Sequence, residues 1–232
     1  MNVTDVRWLE AWLSVWSDDD WEHSYGMQVN TLKDRPGWDM RVDLADTQFE
    51  GAVWAGTAIE RGNHDWFECR SDDKAYFSRG GSWNFQEMIQ GFRNWAHGVA
   101  PEPRKGESPT RFLSNLSPPP APTGDPIEWF EAWYRHQAGA EANPHIQVVL
   151  ETMDDPGWSL TIRPSPFTAG IEPASGVQTL PRGGFLEWKV APEHVTIYAG
   201  VTNLEDLFAT FRSLAEHGMR PQQLPSLTLA PS

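Results

Sequence analysis

The chain has 232 residues, enough for one large domain or two small ones. Its net charge of −14 at pH 7 disfavours binding to nucleic acid or to an anionic membrane, because both attractions need Lys and Arg. The single cysteine, Cys69, excludes an intrachain disulfide, and the 13 tryptophans must fill cores, line pockets or anchor partners.

The first predicted element is a helix in VRWLEAWLSVW, where Trp8 and Trp12 stand four residues apart on one face. The segments MQVNTL and DMRVDL alternate apolar and polar residues, as half-buried strands do, and the Pro-Gly-Trp between them indicates a turn. Two more strands are predicted near Trp66–Arg70 and Ala75–Ser78. A closing helix follows Asn84, a residue type that favours the N-cap position.

The second half of the chain repeats this order. The segment IEWFEAWYRHQ matches the opening helix, DDPGWSLTIRP matches DRPGWDMRVDL, and NLEDLFATFRSLAEHG matches the closing helix NFQEMIQGFRNWAHG. The matches share an offset of roughly 120 positions, which is too long for a solenoid repeat and indicates a duplication.

The sequence therefore predicts an α+β protein of two tandem homologous domains, each a helix, an antiparallel β meander of about four strands, and a helix. The first domain covers residues 1–98 and the second covers residues 127–220. A Pro/Ser-rich linker, residues 99–126, joins them, and residues 221–232 form a tail. We expect long loops in WAGTAIERGNHD and PSPFTAGIEPASGVQTLPRGG.

The segment SDDDWEHSYG, residues 17–26, is the most unusual run in composition. In a structural interpretation, its acids solvate the helix end while Trp21 and Tyr25 pack on the sheet. In a docking interpretation, the aromatic side chains anchor a partner and the carboxylates steer it. The candidate partner-binding residues are then Asp18, Asp19, Asp20, Trp21, Glu22, His23 and Tyr25.

A third interpretation is acid–base catalysis by Glu22, His23 and Tyr25, which can all transfer protons. If the segment is extended, His23 and Tyr25 point to the same side, and aromatic walls would suit cyclisation or isomerisation of an apolar small molecule. No His or carboxylate spacing predicts a metal site, and no phosphate loop is present, so neither metal nor cofactor is expected.

The stretch WLEAWLSVWSDDDWEHSYGMQVNTLKDRPGWDMRVDL resembles the immunity protein 53 family of bacterial polymorphic toxin systems. The resemblance rests on the WLxxW helix, the DWEHSYG element, the PGW turn with the following VDL strand, and the closing helix, and it covers Trp8 to Gly98. In the second repeat AEANPHIQ replaces DWEHSYG, and His145 is the one remnant of the polar element.

This resemblance implies a small cytoplasmic protein that binds and neutralises a cognate protein toxin and is not an enzyme. The negative charge of the chain favours a basic toxin. The alternative is a reused scaffold that serves as an enzyme or binding protein for an apolar small molecule. No stretch approaches the roughly 18 apolar residues of a membrane-spanning helix.

Overall fold

The computed structural model describes residues 4–17, 21–98, 125–139, 146–164, 173–180 and 184–217. The first repeat contains α1 (Asp5–Trp16), β1 (Met27–Thr31), β2 (Gly37–Asp43), β3 (Trp54–Gly62), β4 (Asp65–Ser71), β5 (Ala75–Gly81) and α2 (Phe85–Ala96). The second repeat contains α3 (Pro126–Gly139), β6 (Gln147–Met153), β7 (Gly157–Arg163), β8 (Ala174–Thr179), β9 (Phe185–Val190), β10 (Val195–Gly200) and α4 (Leu204–His217). Within these ranges, no helix is long and apolar enough to cross a membrane.

The linker predicted at residues 99–126 lies outside the described residues, apart from its last two positions, and the tail at residues 221–232 lies wholly outside them. Asp125 caps α3, because its carboxylate accepts a hydrogen bond from the Ile127 amide at 2.8 Å, and Pro126 occupies the first helical position. The domain boundaries stay predictions.

All the described strands join one antiparallel sheet in the order β3-β4-β5-β2-β1-β6-β7-β10-β9-β8. The α+β class and the two homologous repeats are confirmed. The count of about four strands per repeat is wrong, because each repeat contributes five. The additional strands, β3 and β8, lie in the segments predicted as loops and form the two edges of the sheet. An edge strand pairs with one neighbour and exposes its other side to solvent, so its sequence needs little alternation of apolar and polar residues.

The helices cover one face of this sheet and enclose a core that runs through both repeats. Trp38 of β2 is fully buried and shows this continuity, because its ring lies 4.7 Å from Phe85 of α2 and 4.1 Å from Tyr134 of α3. The first and second repeats therefore share a hydrophobic core as well as a sheet. The opposite face of the sheet carries exposed polar side chains such as Gln28 and Arg41.

The two repeats meet through β1 and β6, about a pseudo-twofold axis. Val29 lies opposite Leu150, and these two residues hold equivalent positions in their repeats. On either side, Gln28 faces Glu151 and Asn30 faces Val149. Each pairing is thus the reciprocal of the other, as in the interface of a symmetric homodimer.

Two side-chain hydrogen bonds follow the same symmetry. The Met27 amide donates to Thr152 Oγ1 at 3.0 Å, and the Val148 amide donates to Thr31 Oγ1 at 3.1 Å. Each threonine thus satisfies the first amide beyond the short β1–β6 ladder, and both bonds join one repeat to the other.

The helices are capped across the repeat boundary. Glu131 of α3 accepts a hydrogen bond from the Gln86 amide at 2.9 Å, and Glu10 of α1 accepts one from the Glu205 amide at 3.1 Å. Asn84 stands before α2 as predicted, but its side chain makes no capping hydrogen bond. The duplicated glutamate of the WLEAW and WFEAW segments therefore provides a capping oxygen to the closing helix of the other repeat.

Candidate functional site

Residues 21–26, here called the motif turn, connect α1 to β1. The Trp21 carbonyl accepts hydrogen bonds from the Ser24 amide at 3.1 Å and the Tyr25 amide at 2.8 Å. The segment is therefore a tight turn, and the extended alternation of side chains considered above is wrong. Trp21 and Glu22 are buried, whereas His23 and Ser24 are exposed.

Trp21 holds the motif turn against the first repeat. Its side chain is 3% exposed, its Nε1 donates to the Ala45 carbonyl at 2.9 Å, and its ring packs edge-on against Trp12 at 5.5 Å. Trp21 therefore fixes the motif turn to the core of the first repeat, as the structural interpretation expected. It exposes little surface that a partner could contact.

Tyr25 lies beside acidic residues of the loop that follows β2. The negative charge of Asp46 raises the pKa of Tyr25, and Glu50 and Asp43 add to the effect. Asp46 has a φ of 58°, a left-handed conformation that aspartate adopts more readily than most residues. The loop thus places carboxylates next to the motif turn.

The end of the motif turn is fixed to both repeats. The Gly26 amide donates to Asp43 Oδ2 at 3.1 Å, and the next amide, of Met27, donates to Thr152 of the second repeat. A Cβ on Gly26 would collide with Thr152 Oγ1, so this close approach requires glycine.

An open cleft of about 280 Å³, here called the inter-repeat cleft, lies at this junction. Its walls are formed by the motif turn, the outer face of β1 and β2, and the end of β6 with the turn that follows it. The lining residues are Glu22, His23, Ser24, Tyr25, Gly26, Met27, Gln28, Arg41, Asp43, Glu151, Thr152 and Asp154.

The inter-repeat cleft is acidic. Among the described residues, four carboxylates line it against one guanidinium, that of Arg41, which pairs with Asp43 at 2.7 Å. Glu151 accepts a hydrogen bond from Gln28 Nε2 at 2.8 Å, and Asp154 is exposed at the rim. Excess negative charge in a concave site attracts cationic groups.

A larger open groove of about 520 Å³ lies between α1 and α2. Its charged groups are already matched, because Asp5 pairs with Arg93 at 3.2 Å and accepts a hydrogen bond from Gln90 at 2.9 Å. At its end, Trp8 Nε1 donates to His97 Nε2 at 3.1 Å. The inter-repeat cleft, with its excess of carboxylates, is the better candidate site.

The structure brings Glu22, His23 and Tyr25 together at one cleft, and it keeps Trp21 out of that cleft. The acidic run at residues 18–20, predicted as Asp18, Asp19 and Asp20 of the partner-binding set, lies outside the described residues. The enzyme hypothesis expected aromatic walls around an apolar small molecule, whereas Glu22, His23 and Tyr25 line an open and mainly polar cleft.

The other three carboxylates of the cleft, Asp43, Glu151 and Asp154, were not predicted from the sequence. Asp43 could have been found, because strand alternation puts it on the same face as Arg41 in DMRVDL. Glu151 and Asp154 carry no local signal, since they reach the cleft through the pairing of β1 with β6. The segment AEANPHIQ and His145, which would occupy the equivalent place in the second repeat, fall outside the described residues, except for Ile146 and Gln147.

The family model described as immunity protein 53 matches the chain twice, over residues 6–97 and 127–216. These two regions together cover more than half of the chain and coincide with the two structural repeats. No curated protein and no solved structure matches the chain.

Proposed function

Because this chain belongs to the immunity protein 53 family, we propose that it is an immunity protein that binds and neutralises a basic protein toxin in the cytoplasm. The toxin docks on the motif turn and the inter-repeat cleft. The observation that carries this proposal is the convergence of four carboxylates from both repeats on an open cleft beside the exposed side chain of His23.

The geometry suits a protruding Lys or Arg of the toxin. Such a side chain enters the cleft between Glu22 and Asp43 on one side and Glu151 and Asp154 on the other. Guanidinium binds carboxylates through paired hydrogen bonds, and partial enclosure strengthens each of them relative to bulk water.

Two features outside the cleft carboxylates also favour binding of a basic toxin. A net charge of −14 accelerates the approach of a basic protein, an effect that falls as salt rises. The fixed position of Trp21 and the glycine at position 26 hold the motif turn in place before binding, which lowers the entropy lost on association.

An immunity role predicts that the gene beside that of this chain encodes the toxin, and the test uses the toxin domain of that gene product. Wild-type protein co-expressed with the domain is expected to protect the cell and to bind it in calorimetry. The double variant Glu151→Gln, Asp154→Asn removes two cleft charges without touching the core. We expect affinity to fall by about tenfold or more, mainly through slower association at low salt.

Glu193→Gln is the matched control, because it removes one exposed carboxylate from the turn between β9 and β10, outside the cleft. Its affinity should stay within about twofold of wild type. Equal losses of binding free energy per charge removed in the control and the double variant would show that net charge alone attracts the toxin, and the cleft would lose its role. Failure of the wild-type chain to bind would refute the proposed function.

A further inference from the structure

The two edges of the sheet differ in how they are protected. Edge strand β3 pairs irregularly with β4, with register shifts between Trp54 and Thr57 and between Glu60 and Gly62, and it carries the charged residues Glu60 and Arg61. Edge strand β8 pairs with β9 at every position from Ala174 to Thr179 and carries no charge. Bulges and charges are common devices that prevent a strand from adding to an edge, and β8 has neither.

Among the described strands, none pairs with the outer side of β8, and the backbone of β8 presents hydrogen-bonding groups to this edge. The Leu180 amide donates to the Gly184 carbonyl at 2.8 Å, which identifies that pair as hydrogen-bonded. Hydrogen-bonded and non-hydrogen-bonded pairs alternate along an antiparallel ladder. The N–H and C=O groups of Ser175, Val177 and Thr179 therefore point away from β9, toward the edge.

Apolar side chains stand beside the same edge. Val177 is 76% exposed and Phe185 is 37% exposed. The register places them diagonally adjacent on the outer face of the sheet, since Val177 faces Glu187 and Phe185 faces Thr179. On the inner face, Trp188 lies against Gly176, so β8 is fixed to the sheet although no described strand pairs with its other side.

The edge is continuous with the inter-repeat cleft. One row of paired residues crosses the outer face from the cleft residue Glu151 through Ser159, Tyr198 and Glu187 to Val177. Four strand spacings separate its ends, about 19 Å, a distance within the width of an ordinary protein interface. The row holds two carboxylates, Glu151 and Glu187, with Lys189 of β9 next to it opposite Ser175, so its net negative charge complements a basic partner.

We propose that an extended strand of the toxin adds to β8 in antiparallel or parallel pairing while a basic side chain of the same toxin occupies the inter-repeat cleft. This inference rests on the proposed function and assigns the second repeat a direct part in binding. A second copy of this chain fits the edge less well, because each copy carries a net charge of −14 and the two would repel.

The test is Val177→Pro, measured by calorimetry with the toxin domain encoded by the neighbouring gene. Proline removes an amide that points to the open edge and leaves the hydrogen bonds to β9 in place. Val177→Thr is the matched control, because it keeps the amide and the β-branched shape. We expect the proline variant to bind about tenfold or more weakly and the threonine variant within about threefold of wild type.

A thermal unfolding curve of each variant separates lost binding from lost folding. If Val177→Pro melts well below wild type, Ser175→Pro, which removes another edge amide, replaces it. Binding of a folded proline variant at wild-type affinity would overturn the proposal and leave the proposed function standing. A dimer of the chain alone that Val177→Pro dissociates, seen by light scattering, would assign the edge to a second copy instead. No binding by wild type would remove both proposals.

Discussion

Replacing Glu10 with glutamine should raise the free energy of unfolding, and the gain should grow with pH. Glu10 is 8% exposed and caps α4 from the other repeat. Burial raises the pKa of its carboxyl from 4.5 to about 7, with Glu205 adding repulsion, while the Glu205 amide and Arg7 oppose the rise.

The pH dependence of stability follows from the difference between the folded-state and unfolded-state pKa of Glu10. Because the folded-state pKa lies above the unfolded one, the folded protein binds this proton more tightly. The associated stability is complete below pH 4.5 and is lost as pH rises to about 7. A pKa difference of one corresponds to about 1.4 kcal/mol, so the loss approaches about 3 kcal/mol at about pH 8. Near pH 5.5 it is about 1.4 kcal/mol.

Glutamine resembles the protonated acid and keeps the capping oxygen, so Glu10→Gln should recover this loss. Urea unfolding followed by tryptophan fluorescence gives the free energy of unfolding at about pH 5.5 and at about pH 8. Both pH values lie above the isoelectric point, which is near 4.8. Glu193→Gln, at an exposed position, should change neither value by more than about 0.5 kcal/mol. A Glu10→Gln variant that is no more stable than wild type at pH 8, or whose gain is independent of pH, would refute this reasoning.

Three further substitutions test the packing of the sheet, two of them at the candidate site. Thr152→Val removes the hydrogen bond to the Met27 amide and should lower the free energy of unfolding by about 1 kcal/mol in urea titration. Trp21→Phe removes the bond to the Ala45 carbonyl and part of a buried ring, and should lower it by about 2 kcal/mol; an unchanged midpoint would show that this contact is dispensable. Gly56→Ala should lower the melting temperature clearly, because φ is +92° there and a Cβ would meet the backbone of β4.

Local patterns in the sequence predicted most of the elements but not all of the sheet. The Pro-Gly-Trp turn and the alternation around it placed β1 and β2 correctly, because both strands have one buried face. Strand β8 was not predicted because its sequence lacks the alternation of apolar and polar residues. It is a mostly exposed edge strand with few apolar side chains and with Gly176 near its centre. Its strand structure depends on Trp188 of β9, a tertiary contact.

The relation between the repeats was beyond sequence reasoning. Duplication was visible, yet nothing local indicates that β1 pairs with β6 or that Glu10 and Glu131 cap helices of the opposite repeat. The same holds for the candidate site, whose second wall comes from Glu151 and Asp154. Residues far apart in sequence meet there because of the symmetric association, so only half of the cleft could be predicted from the motif.

Amide hydrogen exchange on the full chain, with and without the toxin domain from the neighbouring gene, tests the docking site most directly. Docking in the inter-repeat cleft should slow exchange in its two walls, residues 21–26 and 151–154, and leave exchange in α2 and α3 unchanged. Slower exchange confined to the helix layer, with both cleft walls unaffected, would contradict it.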